Sequence, residues 1–503
     1  MTVWVLGDQL STDAGPLGDL EPGAEPVLLV EATRFARRLP YHPHKLVGVF
    51  AAMRHFRDRL RSLGHEVDYR HVETFEAGVR AHLDDYPDQS LVTMAPASDG
   101  APDRIRALVA SAGGSLDVVE SDLFCCSVGD FDEWAGDDDT FVHESFYRWQ
   151  RRRTGYLMDG DDPVGDEWNF DEQNREFPGP EYRFPDPPTF HPDETTRAVV
   201  EWVHDEFDPW AGDDAEPFAW PVTREESLEA LDSFVADRLP SFGPYQDAMV
   251  QRSWLLNHAL LSPALNLGLL HPRECIEAAI DAYEAGDAPL PSVEGFVRQV
   301  LGWREFVRHV YRRSMPDLAT ANQFGHDRDL PTAYYTGDAE MRCLSECVGH
   351  VRKRGYAHHI ERLMVLSNFA TLYGADPREL NRWFHFGFVD AYHWVTTPNV
   401  VGMGSFASDV LSTKPYVSSA NYVQRTSDFC GDCRYDPDET TGEDACPFNA
   451  LYWAFLDRHE DRLRSNPRMG LMYHHLDRKD DDELAAIHDR ADAVRAMGAD
   501  GTL

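Results

Sequence analysis

Short apolar runs alternate with helical patterns through roughly the first 125 residues. Thr2–Leu6, Val27–Val30, Val67–Arg70 and Leu91–Ala95 have the length and branched composition of strands, and Lys45–Leu63 between two of them has the periodicity of a long amphipathic helix. Strands alternating with helices predict a parallel, doubly wound, Rossmann-like sheet. Gly7-Asp8-Gln9-Leu10 follows the first strand, at the carboxyl edge where such sheets take ligands, although a plain strand-to-helix turn reads the same way.

Asp, Pro, Gly and Trp then dominate. Residues 129–240 read as a long connection that wraps other domains rather than building its own core, with a helix near Glu144–Arg153. From Ser241 onward helical periodicity takes over and strand patterns vanish. The expected organisation is an α/β unit over 1–128, the connection over 129–240 and an all-helical unit over 241–503.

Composition narrows the class. The 503 residues are 42% hydrophobic, without an apolar run long enough to cross a bilayer. The N-terminus enters a strand with no basic region or cleavage signal, so a soluble cytoplasmic monomer without a membrane partner is expected. The net charge of −40, from 87 acids against 47 bases, suits a protein kept soluble in a salt-rich, halophilic cytoplasm. Such a charge opposes nucleic-acid binding unless cations are concentrated locally. Arg304, Arg308 and Arg312 would form one stripe on a helix, and Arg151-Arg152-Arg153 and Arg352-Lys353-Arg354 are further clusters. Each also reads as a solvated helix face.

Eight cysteines in a chain this long are too few for a disulfide scaffold. Five fall between Cys343 and Cys446: Cys343, Cys347, the C-x-x-C pair Cys430 and Cys433, and Cys446 followed by Pro447. Four thiolates could hold an iron–sulfur cluster or a structural zinc, and the ligand types alone do not separate the two.

Several motifs carry a resemblance to the cryptochrome/photolyase superfamily. They are Leu261-Ser262-Pro263-Ala264-Leu265-Asn266-Leu267-Gly268, Trp303-Arg304-Glu305-Phe306, and His358-His359 with Arg362 and Asp390. With four of the cysteines, and with Tyr41-His42-Pro43-His44-Lys45, Glu167-Trp168-Asn169-Phe170-Asp171, Tyr245-Gln246-Asp247-Ala248-Met249 and Pro398-Asn399-Val400-Val401-Gly402-Met403, the chain resembles the prokaryotic iron–sulfur (6-4) photolyases and photolyase-related proteins along nearly its whole length.

The resemblance implies an α/β antenna domain and a large all-α catalytic domain holding FAD. It places Tyr245, Leu261, Ser262, Arg304, Arg362, Asp390, Thr396 and Asn399 at the flavin. It places a [4Fe-4S] cluster on Cys343, Cys430, Cys433 and Cys446. It also implies 6,7-dimethyl-8-ribityllumazine as antenna pigment, near Gly7, Asp8, Gln9 and Glu31 at strand ends. His359, supported by His358, would serve proton transfer in repair of pyrimidine–pyrimidone (6-4) lesions in UV-damaged DNA. Arg151, Arg152, Arg153, Trp303, Arg308 and Arg312 would contact that DNA. Trp383 matches the family's tryptophan near the flavin. Tyr335 stands where close relatives carry a second tryptophan and Phe384 where some carry tyrosine, so photoreduction by the family route is in doubt. A cryptochrome-like photoreceptor without repair, and a colourless DNA-associated zinc protein, are the competing functions.

Overall fold

The computed structural model describes residues 1–138, 140–212 and 214–503. Five parallel strands, β1 (Thr2–Val5), β2 (Val27–Ala32), β3 (Val67–Val72), β4 (Leu91–Met94) and β5 (Leu116–Val119), form one sheet in the order β3-β2-β1-β4-β5. β1, β2 and β4 are buried throughout, as strands covered on both faces must be. Their side chains alternate between two cores. Val3, Val5, Val27 and Leu29 share one with Phe50, Ala51 and Met53 of the helix Pro43–Ser62. Trp4, Leu28 and Val30 share another with Val79 and Val109 of the helices Phe75–Asp85 and Ala101–Ser111.

The first four strands match the expected positions to within two residues at each end. β5 was not predicted. It is an edge strand whose exposed and half-buried positions alternate, with Asp117 interrupting its apolar run. The strand order reverses at β1, with β2 on one side and β4 on the other, which opens a crevice at the carboxyl ends where Gly7, Asp8 and Gln9 lie.

The segment 129–240 contains the helices His143–Thr154, Glu194–Glu206 and Arg224–Ser233. Beyond it the chain is helical, with the described residues pairing there only as isolated bridges. Three seven-residue π-helical stretches, Arg298–Arg304, Glu361–Ser367 and Pro398–Gly404, fall on the three motifs that singled themselves out in sequence. A π turn inserts a residue and re-aims the side chains around it, which is why such turns gather at functional sites. Among the described residues no helix is long and apolar enough to cross a membrane.

Candidate active site and sulfur cluster

The helix Ser262–Leu267 begins beside Asp390, and the Ser262 hydroxyl donates to Asp390 Oδ2 at 2.7 Å. Arg362 approaches the same carboxylate with both terminal nitrogens, at 3.1 and 3.0 Å, while Asn266 Nδ2 donates to the Asp390 carbonyl. Tyr356 and Phe388 flank the Arg362 guanidinium. This fork-to-carboxylate geometry fixes both groups. Asp390→Asn is expected to lower stability by about 1.5–3 kcal/mol, because a hydrogen-bonded charge pair becomes a lone cation. A urea midpoint unchanged from the native chain would contradict this.

Three histidines meet next to that pair, their ligand-capable nitrogens all within 4.8 Å of one another. His258 and His358 are buried and stack at 4.7 Å between centroids, 13° from parallel. Burial holds both well below the usual histidine pKa, so both are neutral near pH 7. His358 Nε2 lies 3.5 Å from the buried Glu361 carboxylate but outside hydrogen-bond geometry, and both His358 ring nitrogens lack a partner. His359 differs: its side chain is 48% exposed and its Nε2 stands 3.4 Å from Asp247. The sequence singled out two of these five residues, His358 and His359. His258 and Asp247 escaped because they lie about a hundred residues upstream, although Asp247 falls inside a motif already noted.

Other expected flavin contacts separate into two groups. Thr396 Oγ1 and Arg304 Nε are buried without partners, which calls for a polar group from outside the chain. Asn399 is already engaged, accepting from Trp303 Nε1 and donating to the Val395 carbonyl. Tyr245 packs edge-on against Tyr182. Leu261 is buried and immediately precedes Ser262.

Arg304 faces a cavity lined also by Asp8, Gln9, Phe124, Leu265, Asn266 and Trp394, between the sheet's carboxyl edge and the helical half. Burial raises the Asp8 carboxyl to about 6. Glu31 does not line this cavity. It is buried and bonded by Arg54 at 2.8 and 3.2 Å and by the Tyr69 hydroxyl, so its carboxylate is satisfied within the protein.

Lys45 ties the two halves together. Its Nζ donates to the carbonyls of His385 and Ala391, at 2.7 and 2.5 Å, next to Asp390. Burial pulls its pKa from 10.5 down to about 7. Above pH 7 the folded amine is neutral while the unfolded one keeps its proton up to about 10.5, so the unfolded state binds more protons. Stability relative to Lys45→Met should therefore climb across that window, with a slope of at most about 1.4 kcal/mol per pH unit. Parallel pH–stability curves for the two proteins would refute this.

The expected DNA contacts need correction. Arg151 is buried and spends its guanidinium on the carbonyls of Tyr156, Leu157 and Trp168. Arg153 pairs with Asp130 and bonds the Cys125 carbonyl. Arg308 lies over Phe124 and donates to the Cys126 carbonyl, and Arg312 pairs with Asp132. Trp303 is held by Asn399. Arg153, Arg308 and Arg312 tie the helix Glu305–Ser314 and its neighbour to residues 124–132, while Arg153 and Arg312 keep part of their side chains at the surface. Arg152 alone of the six makes no such bond, lying over Trp168 and exposed.

Cys343, Cys430, Cys433 and Cys446 line one apolar cavity together with Met341, Phe429, Tyr435 and Phe448. Cys343 comes from the helix Arg342–Arg354, and the other three come from the loop and helix start after Phe429. Cys347, one turn beyond Cys343, does not line the cavity. All four thiols are free, and burial and their neighbours raise Cys343, Cys430 and Cys446. Zinc–sulfur bonds of about 2.3 Å would bring tetrahedral sulfurs to roughly 3.8 Å from one another. Among the described residues the histidine trio has three ligand atoms mutually within 4.8 Å.

Comparison with known proteins extends over nearly the whole chain. A (6-4) photolyase of Agrobacterium fabrum is 40% identical over 478 residues, 94% of each protein. Residues 3–220 match the family described as deoxyribodipyrimidine photo-lyase-related protein. A class III photolyase from Agrobacterium tumefaciens has a similar structure, with a TM-score of 0.60 at 16% identity, over 97% of this chain and 91% of that one. A Synechocystis cryptochrome gives 0.58 at 14%, over 99% and 98%. Those two likenesses bear on fold alone.

Proposed function

Because this chain belongs to the photolyase-related family of the photolyase/cryptochrome superfamily, we propose that it repairs pyrimidine–pyrimidone (6-4) photoproducts in UV-damaged DNA under blue light. The observation that carries this reading is one accessible histidine, His359, set above two buried neutral ones beside the Arg362–Asp390 pair.

FAD suits the residues present. The Arg362–Asp390 pair offers a fixed donor and acceptor edge, Ser262 a hydroxyl, and Thr396 and Arg304 buried polar atoms in need of partners. Reduced FAD, when bound and excited, supplies one electron to the lesion and recovers it. The rest falls to this chain's side chains. His359 Nε2 faces solvent and Asp247, so it can hold a proton and deliver it to a flipped-out lesion. His258 and His358, kept neutral by burial, present an uncharged floor that leaves the transferable proton on His359. Glu361, bonded by His350 Nδ1, lies 3.5 Å from His358 Nε2 at the edge of that floor.

The four thiols around one apolar cavity are the ligand set that a [4Fe-4S] cluster would use. An antenna pigment of the lumazine class would sit in the crevice at Asp8 and Gln9. The charge of −40 supports operation at high salt, where phosphate contacts weaken and stacking supplies more of the affinity. A photoreceptor role is the second reading, favoured by Tyr335 and Phe384 at the relay positions. Pre-reduced protein under blue light, assayed by chromatography for restored pyrimidines, separates the two. Flavin retained without any restored bases would move the assignment to a photoreceptor.

A further inference from the structure

Trp383 is buried, its indole N–H donating to the Tyr334 carbonyl at 2.8 Å, and its ring is joined to Arg362 through Phe388. An electron taken from it by a photoexcited flavin must be replaced before it falls back. Four rings pack on Trp383 among the described residues: Tyr334, Phe384, Phe388 and Trp210. The phenylalanines are too hard to oxidise. Tyr334 must lose a proton to be oxidised, and its hydroxyl points at the Leu366 carbonyl, which is no base. Tyr335 is 36% exposed and is not among the rings on Trp383.

Trp210 remains. It comes from the connection between the two halves of the chain, 173 residues from Trp383 in sequence, and meets it edge-on at 6.0 Å between centroids. Its position is built. The backbone N–H donates to the Pro40 carbonyl, the indole N–H to the Tyr335 carbonyl at 3.3 Å, and Phe386 packs at 5.4 Å. Gly387 makes room for it, since a Cβ there would stand 3.3 Å from the Trp210 ring.

We propose that Trp210 is the outer electron-relay residue of this chain, carrying the oxidising equivalent from Trp383 to solvent in place of Tyr335. Trp210 is only half-buried, so a positive charge is better solvated there than on Trp383, which drives it outward. The Arg352 guanidinium 5.6 Å above the Trp210 ring opposes that charge, and Asp214, paired with Arg352, offsets it. In each pass one electron moves from Trp383 to the flavin, one from Trp210 to Trp383, and one from a soluble thiol to Trp210. Two passes reduce the flavin by two electrons while two thiols become one disulfide and release two protons, which the reduced flavin and solvent take up.

The inference rests on the flavin-binding reading, and the test separates them. Flash photolysis of the flavin-loaded, oxidised full chain with a soluble thiol should show a long-lived tryptophan radical, removed faster as thiol is added. Trp210→Phe should retain flavin, thermal midpoint and repair after chemical pre-reduction. Its photoreduction yield should fall roughly tenfold or more, with the radical decaying by recombination whatever the thiol concentration. Tyr335→Phe should behave as the native chain. Native-like photoreduction in Trp210→Phe, loss confined to Tyr335→Phe, or a native-chain radical indifferent to thiol would each overturn the proposal. A chain that takes up no flavin would overturn the photolyase reading and this inference with it, whereas repair by pre-reduced protein alongside any of the three contrary results would overturn the relay alone.

Discussion

His359→Ala is expected to lower (6-4) repair by roughly 10²–10⁴-fold, the range lost with a positioned acid or base. Its imidazole is the one ring of the trio that reaches solvent, and Asp247 at 3.4 Å can hold it in a donating orientation. The two rings beneath are kept neutral by burial, so neither replaces the lost proton. Truncation of a half-exposed side chain should leave the fold, the flavin and the sulfur cavity unchanged. Binding of lesion-bearing DNA, measured in the dark, should change much less than repair. Equal losses in both would make His359 a binding residue only.

Cys343→Ser is expected to have the second large effect. Cys343 is the only thiol of the four outside the loop and helix start after Phe429, so it joins that loop to the helix Arg342–Arg354. The loop's own regular structure is a single 3₁₀ turn at Phe429–Asp432 and one bridge, Asp436 to Ala445, with Asn449 and Arg490 donating to its carbonyls from the helices beside it. Metal binding of this kind is folding free energy, and losing a ligand should cost iron and lower the thermal midpoint by roughly 5–15 °C. Cys347→Ser is the control, because it removes a buried thiol one turn away that does not line the cavity. Iron retained in the first variant and lost from the second would reverse the ligand assignment. Stoichiometric zinc in the native chain would replace the cluster with a structural site.

The sheet was legible because its central strands are mostly apolar and bounded by turns, and β5 was not because its four residues include only three apolar ones on a half-exposed edge. The cysteine quartet and the Arg362–Asp390 pair were marked by local motifs that survive in any single sequence. Long-range partners leave no such mark. Nothing near His358 announces His258, and nothing near Trp383 announces Trp210, because tertiary packing alone brings them together. The partners of the arginine stripe were hidden for a related reason. Periodicity puts Arg304, Arg308 and Arg312 on one face of the chain, but Phe124 and Cys126 cover Arg304 and Arg308, and Asp132 pairs with Arg312 at the surface. A stripe of charge is equally a solvent face or a buried seam until its neighbour is known.

The measurement that bears most directly on the central claim is single-turnover repair of an oligonucleotide carrying one (6-4) photoproduct. Anaerobic, pre-reduced protein at high salt would be flashed with blue light beside His359→Ala and beside a cyclobutane-dimer substrate. Repair of the (6-4) lesion by the native chain, its loss in the variant and no comparable repair of the cyclobutane dimer is the predicted result. Flavin-loaded native protein that leaves the (6-4) lesion intact, or a variant that repairs it as fast, would contradict the account.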